Sequence, residues 1–222
     1  MLVEGCDSMD TEKEIYPAGN IELLSMFKSK TFDKDRATQL LSDIVDLNSP
    51  ISDLKGYSTT YLFEAETYNN VEAVRFLLEN GANPNLDYYE LINGCALTDL
   101  HFLWEEMTEE SAQRLSIAKL FFDFGGDPNL NYEFETLYDH GFWEIFNDSI
   151  TPHSWEYLKR FFILLIAYGG GCKDSRYGKP VLREPIDKSC IDQYDFKLFT
   201  CEDGYHLEGH LFDPNGNDIG TV

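Results

Sequence analysis

Thr60-Tyr61-Leu62-Phe63-Glu64-Ala65 and, after a short gap, Val71-Glu72-Ala73-Val74-Arg75-Phe76-Leu77-Leu78-Glu79-Asn80-Gly81-Ala82-Asn83-Pro84-Asn85 read as two short helices ending in a turn. The Thr60 hydroxyl can accept a bond from an otherwise unpaired amide at the start of the first helix. Leu62 and Ala65 lie three apart and share one helical face. Val74, Leu77 and Leu78 form the apolar stripe of the second helix. Gly81 follows the last helical residue, where a left-handed backbone costs glycine no Cβ clash.

The same pattern extends in both directions. Upstream, Asn20 caps an expected helix through about Lys28, with Leu23, Leu24 and Phe27 inward. Asp33 caps a second, with Ala37, Leu40, Leu41, Ile44 and Val45 inward. Downstream, Leu120-Phe121-Phe122-Asp123-Phe124-Gly125-Gly126-Asp127-Pro128-Asn129 aligns with Leu77 to Asn85, and Ala96, Leu97 and Leu100 belong to its opening helix. A last unit starts its second helix with Thr151 as cap and Pro152 in the first turn, and ends at Leu164-Leu165-Ile166-Ala167-Tyr168-Gly169-Gly170-Gly171-Cys172. Asn48, Asn85, Asn129 and Lys173 close the units at steps of 37, 44 and 44 residues. The excess in the later two falls between the helices, near Trp104 to Ser111 and near Asn147 to Ser154.

These residues resemble the ankyrin repeat family, whose unit is a helix–turn–helix of about 33 residues opening on T-P-L-H-x-A. The resemblance covers residues 20–173 and is most specific over 60–85. The family's histidine is replaced by Phe63 and Thr98, and its proline by Tyr61, Ala96 and Leu137. The hydrogen bonds by which that histidine ties adjacent loops are therefore lost, and aromatic packing is expected in their place. The fold class this implies is mainly α: an ankyrin-like helix-turn-helix solenoid of about four repeats, with an atypical first repeat capping the array. Residues 1–19, polar and aperiodic, read as an N-terminal arm.

Past Lys173 the period changes. After a linker with Pro180 and Pro185, Phe196 to Cys201 reads as a strand, and Asp203-Gly204 is a two-residue hairpin signal. From Tyr205 to Phe212 the pattern alternates: Tyr205, Leu207 and Leu211 face one way, His206, Glu208 and His210 the other. A turn at Asp213-Pro214-Asn215-Gly216-Asn217 leads to a short last strand from Asp218 to Val222. Residues 174–222 are thus expected to form a β-meander appendage docked on the last repeat, because an isolated hairpin is marginal in water.

Composition narrows the function. The 222 residues include 17 Lys+Arg and 40 Asp+Glu, a formal charge of -23. Such a surface repels phosphate backbones and anionic membranes. It attracts basic proteins and accelerates their association, or it serves solubility alone; both readings stand. Five cysteines, Cys6, Cys95, Cys172, Cys190 and Cys201, form no C-x-x-C pair, as expected for reduced thiols in a cytoplasmic protein. No basic region followed by an apolar run marks a signal peptide at the N-terminus.

Three constellations invite chemistry. His206, Glu208 and His210, on one strand face, offer two imidazoles and a carboxylate to a divalent metal. Same-face neighbours are roughly 6.5–7 Å apart at the backbone, so a solvated sheet face is the plainer reading. Asp213, Asn215, Asn217 and Asp218 place oxygens at alternate positions as calcium loops do, but a tight turn needs Pro, Asn and Gly there in any case. Gly169-Gly170-Gly171 lacks the Lys-Ser/Thr of a phosphate cradle and fits a helix C-terminus. No enzyme motif and no cofactor motif rises above this background.

The inter-repeat loops carry more. In the ankyrin family these fingers line the binding face, and here they hold Asp87, Tyr88, Tyr89 and Glu90, then Tyr132, Glu133 and Glu135. Tyrosine among carboxylates suits recognition of a basic partner, since the ring gives area at low entropy cost while the charge orients. The alternative is that these rings pack on neighbouring repeats. Trp104-Glu105-Glu106 and Trp143-Glu144 read as half core and half rim. The resemblance implies a non-catalytic protein-protein interaction module, and small acidic bacterial proteins of this kind often serve as immunity proteins. A metal-binding enzyme or sensor using the C-terminal sheet, and an acidic scaffold or adaptor, are the alternatives.

Overall fold

The computed structural model describes residues 20–29, 31–52, 58–86, 108–132, 135–146, 152–171, 176–201 and 207–222. The expected N-terminal arm, the opening helix with Ala96, Leu97 and Leu100, the Thr151 cap and the Asp203-Gly204 turn lie outside these residues.

The described chain runs α1 (Ile21–Phe27), α2 (Lys34–Leu41), β1 (Ile51–Ser52), β2 (Ser58–Thr59), α3 (Tyr61–Thr67), α4 (Val71–Glu79), α5 (Glu109–Asp123), β3 (Asn131–Tyr132), β4 (Glu135–Thr136), α6 (Leu137–Phe146) and α7 (Pro152–Ala167). It continues with β5 (Val181–Leu182), a 3₁₀ helix (Lys188–Gln193), β6 (Asp195–Thr200), β7 (Leu207–Phe212) and β8 (Asp218–Thr221). The helix starts follow the sequence. The side chains of Asn20, Asp33 and Thr60 accept from the amides of Leu23, Arg36 and Phe63 at 3.0, 2.9 and 3.1 Å. Helix α2 stops at Leu41, short of the expected end. Ile44 is therefore only partly buried and Val45 is fully exposed.

Helices α4, α5 and α7 end in one and the same way. The amides of Ala82, Gly126 and Gly170 reach back to the carbonyls of Leu77, Phe121 and Leu165 at 3.0, 2.8 and 2.7 Å. Each closure needs a left-handed residue before it, supplied by Gly81, Gly125 and Gly169 at φ 94°, 90° and 96°. The triple glycine is thus the helix terminus that its spacing predicts. Asparagine side chains bridge these turns. Asn48 Nδ2 donates to the Gly81 carbonyl at 3.2 Å while its Oδ1 accepts from Asn83 N–H at 2.8 Å. Asn85 bonds Gly125 O and Asp127 N at 2.8 and 2.7 Å. Asn129 bonds Gly169 O and Gly171 N, both at 3.0 Å. Three two-sided rungs form a ladder that links four consecutive turns.

The expectation of a mainly α, ankyrin-like solenoid is overturned. The fold is a mixed α/β arrangement, about 49% helix and 14% strand, in which a four-stranded antiparallel sheet stands beside the helices. Its order is β5-β8-β7-β6, so β6, β7 and β8 form the expected meander, and β5 adds a strand on the β8 side that the sequence pattern missed. The physical reason is the sheet's inner face, which is a layer of the core and not an appendage. Phe196 is 1% exposed and lies 5.4 Å from the Phe162 ring, with Phe146 and Trp155 at 6.5 and 6.4 Å. Leu211, Ile219, Ile191 and Tyr194 are buried in the same cluster as α6 and α7. Gly209 lies directly under the Phe196 ring, where any Cβ would collide. Lys159 on α7 closes the seam, bonding Glu156 at 2.7 Å and Asp195 at 2.9 Å.

Two measurements follow from this packing. Phe196→Ala should cost about 3–5 kcal/mol and shift the helical circular-dichroism transition in urea as one cooperative unit. An unmoved helical midpoint would show the sheet to be an appendage after all. Asn85→Ala removes both bonds of a rung and should cost about 1–2 kcal/mol in the same assay.

Candidate functional site

The hairpin β3–β4 brings two of the expected binding residues together, because its register sets Tyr132 opposite Glu135. Its root is fixed by the amides of Leu137 and Tyr138, which donate to the carbonyls of Leu130 and Pro128 at 2.9 Å each. The Thr136 hydroxyl accepts from Asp139 N–H at 3.0 Å and starts α6. Asp139 is 3% exposed, and its carboxylate accepts from the amides of Arg176 and Tyr177 at 3.1 and 3.3 Å. Asp87, Tyr88, Tyr89, Glu90 and Glu133 lie outside the described residues. A similar hairpin, β1–β2, leads into α3, pairing Ile51 with Thr59. These two hairpins each begin just after a ladder rung, Asn48 in one case and Asn129 in the other. Tyr138 is buried and stacks on Phe162 at 5.5 Å. Trp143, expected half in the core and half at the rim, is 45% exposed.

On the outer face of the sheet His206 lies outside the described residues, while Glu208 and His210 share a face as expected. The arrangement around His210 argues against a metal ligand. Its Nδ1 is 2.7 Å from Asp218 Oδ2 and its Nε2 is 3.3 Å from Glu208 Oε2, so both ring nitrogens face carboxylates. The Asp218 hydrogen bond raises the His210 pKa above the usual histidine value, with Glu208 adding to it and partial burial opposing. His210 in turn holds the Asp218 carboxyl below its usual range. Among the described residues no group of three or more His, Cys, Asp and Glu could hold a metal ion. Sequence reading missed Asp218 because the three candidates were taken along one strand. The signal was the Asp213–Asn217 turn, which folds Asp218 back opposite Phe212. That turn is closed by Asp213 itself, whose Oδ1 accepts from the amides of Asn215 and Asn217 at 2.9 and 2.7 Å.

A buried pair was also invisible to spacing. Glu66 at the end of α3 is fully buried, and Arg114 on α5 meets it at 3.1 Å. Two hollows open nearby. One of about 730 Å³ is bordered by Tyr68, Glu72, Glu109 and Glu110, with Lys28 Nζ 5.0 Å from the Tyr68 ring centre. The other, about 430 Å³, lies between α5, α7 and the 3₁₀ helix, with Leu115, Leu164 and Ile191 among its apolar walls. On its charged border Arg160 Nε bonds Glu156 at 2.9 Å. No helix among the described residues is long and apolar enough to cross a membrane. No protein-family model matches the chain, and no curated protein matches it.

The His210 clamp carries a pH signature. Because the folded-state pKa is raised, the stabilisation is fully present below the unfolded value of about 6.5 and fades as pH climbs through the folded value. The urea midpoint of the wild-type chain should therefore exceed that of His210→Asn most at mildly acidic pH, with the gap closing towards alkaline pH. An NMR titration placing the His210 midpoint below that of a free histidine would refute the clamp.

Proposed function

We propose that the chain is a non-catalytic, cytoplasmic protein-binding module that captures a basic protein. The observation that carries this reading is the hairpin at a ladder rung, β3–β4, on a chain of net charge -23. The backbone bonds of Leu137 and Tyr138 hold the hairpin root beside the Asn129 rung, which lowers the ordering cost of a contact made from it. The acidic field draws a cationic partner in and speeds encounter. Tyr132 and Glu135 supply an aromatic anchor and an orienting charge, with Asp87, Tyr88, Tyr89, Glu90 and Glu133 as the rest of the contact set. Neutralising a basic toxin, as an immunity protein does, is one role such a module fills. Loss of the partner's own activity in the complex distinguishes neutralisation from scaffolding.

The test uses affinity capture from the native host, followed by titration calorimetry at two salt concentrations. A stoichiometric basic protein is expected. Tyr88→Ala/Tyr132→Ala in a chain that keeps its helical spectrum should cost about 2 kcal/mol or more, roughly 30-fold in affinity. Glu135→Gln should mainly slow association at low salt. Unchanged affinity in the folded double variant removes these residues from the site.

A further inference from the structure

We infer that the free edge of β6 is a docking strand that takes an extended, lysine- or arginine-bearing segment of a partner by backbone pairing. This rests on the reading of the chain as a binder of basic proteins, and it adds a second contact surface.

The hydrogen-bond phase of the sheet shows which groups are open. Val222 N–H donates to Gly209 O at 2.9 Å, so Gly209 and, two residues on, Leu211 turn their backbone groups towards β8. Glu208, His210 and Phe212 then turn theirs towards β6, where they pair with Phe199, Lys197 and Asp195. The backbone groups of Phe196, Leu198 and Thr200 consequently point away from the sheet. One of them is closed from within, since Phe196 N–H donates to Asp195 Oδ1 at 3.0 Å. Among the described residues, the amides of Leu198 and Thr200 and the carbonyls of all three residues meet no hydrogen-bonding group. β6 ends the order β5-β8-β7-β6, and at six residues it is three times the length of the opposite edge strand β5. A row of this kind is a template for strand addition.

The side chains beside the edge suit an incoming strand. Phe199 is 44% exposed on the outer face, which gives an added strand apolar surface to cover. Charge selects the occupant. A second copy brings another -23 to the same edge and is repelled, whereas a basic strand is attracted. Lys197 is the one exposed cation on β6, and its Nζ is folded over the Phe212 ring at 4.6 Å and lies 3.7 Å from Asp195. It leaves the open backbone groups clear.

The probe is a short synthetic peptide alternating Lys with Val, titrated into the full chain, alongside the same peptide N-methylated on alternate residues. Methylation keeps the charge and removes the edge-facing N–H groups. The expected result is binding of the plain peptide, about tenfold or more weaker binding of the methylated one, and amide NMR shifts centred on Leu198 and Thr200. Thr200→Pro should weaken the plain peptide by a similar factor, because an outward N–H can be lost at an edge without breaking the ladder. The methylated-peptide arm needs no variant, so a misfolded proline chain does not decide the outcome. Equal, salt-sensitive binding of both peptides overturns the docking strand while leaving recruitment of basic partners intact. No peptide binding, with a basic partner still captured by the chain, likewise overturns the edge alone. No peptide binding and no basic partner removes both. A wild-type dimer in sedimentation that Thr200→Pro makes monomeric also overturns it, since the occupant is then a second copy.

Discussion

The side-chain amide of asparagine is the constraint on which the helical part of this molecule depends. It carries a donor and an acceptor on one rigid plane, so a single residue can satisfy a carbonyl and an N–H of the neighbouring turn together. Asn48, Asn85 and Asn129 do this in succession, each to the residue in the left-handed glycine position and to an amide two residues beyond it. An aspartate could accept but not donate, and a glutamine would add a rotatable bond to be frozen. The bridged turns are the same because the three helices close in the same way. This explains how steps of 37 and 44 residues coexist. The tie is made at the turn, so length added between the helices does not disturb it.

At its far end this ladder meets a different kind of order. Gly171, bonded by Asn129, belongs to the last bridged turn, and from there the chain passes to strands. The transition works because α7 is apolar on more than one side. Phe161, Phe162, Leu165 and Ile166 are all buried, some against helices and some against the sheet. A helix covered on one face only would leave Phe162 and its neighbours in water. The sheet supplies the second cover, with Phe196 as its central ring. The Asp195–Lys159–Glu156 cluster keeps the seam polar where it reaches solvent.

Legibility in the sequence followed the range of the interaction. Caps, helix-end glycines and the Asp213 turn are decided within a few residues, and Thr60, Gly81 and Asn215 could be read directly. The alternation of β7 was legible too, since a period of two needs no partner to be seen. What sequence could not supply was pairing across distance. β5 holds two residues and carries no periodicity, so its place beside β8 was hidden. Asp218 reaches His210 through a register, and Arg114 reaches Glu66 across 48 positions. The fold class failed for the same reason. Alternation announced a sheet, but only Phe196 against Phe162 made that sheet part of the core. Of the candidate site, spacing alone placed Tyr132 and Glu135 near each other, and the register made them opposite one another.

Charge and edge are connected by one further argument. Proteins with an open strand ordinarily guard it with inward charges, bulges or short length, because an unpaired ladder invites copies of itself. β6 carries one partial guard, the Asp195 side chain on the Phe196 amide, and one lysine. The stronger guard is not on the strand at all. With 40 acidic against 17 basic residues, like-charge repulsion opposes the approach of a second copy without occupying the backbone groups it protects. A guard of that kind discriminates by sign. It falls as salt rises, and it reverses to attraction for a cationic chain. The acidity that permits solubility is therefore the same property that would admit a basic strand, and the two readings of the charge in the bare sequence are not alternatives.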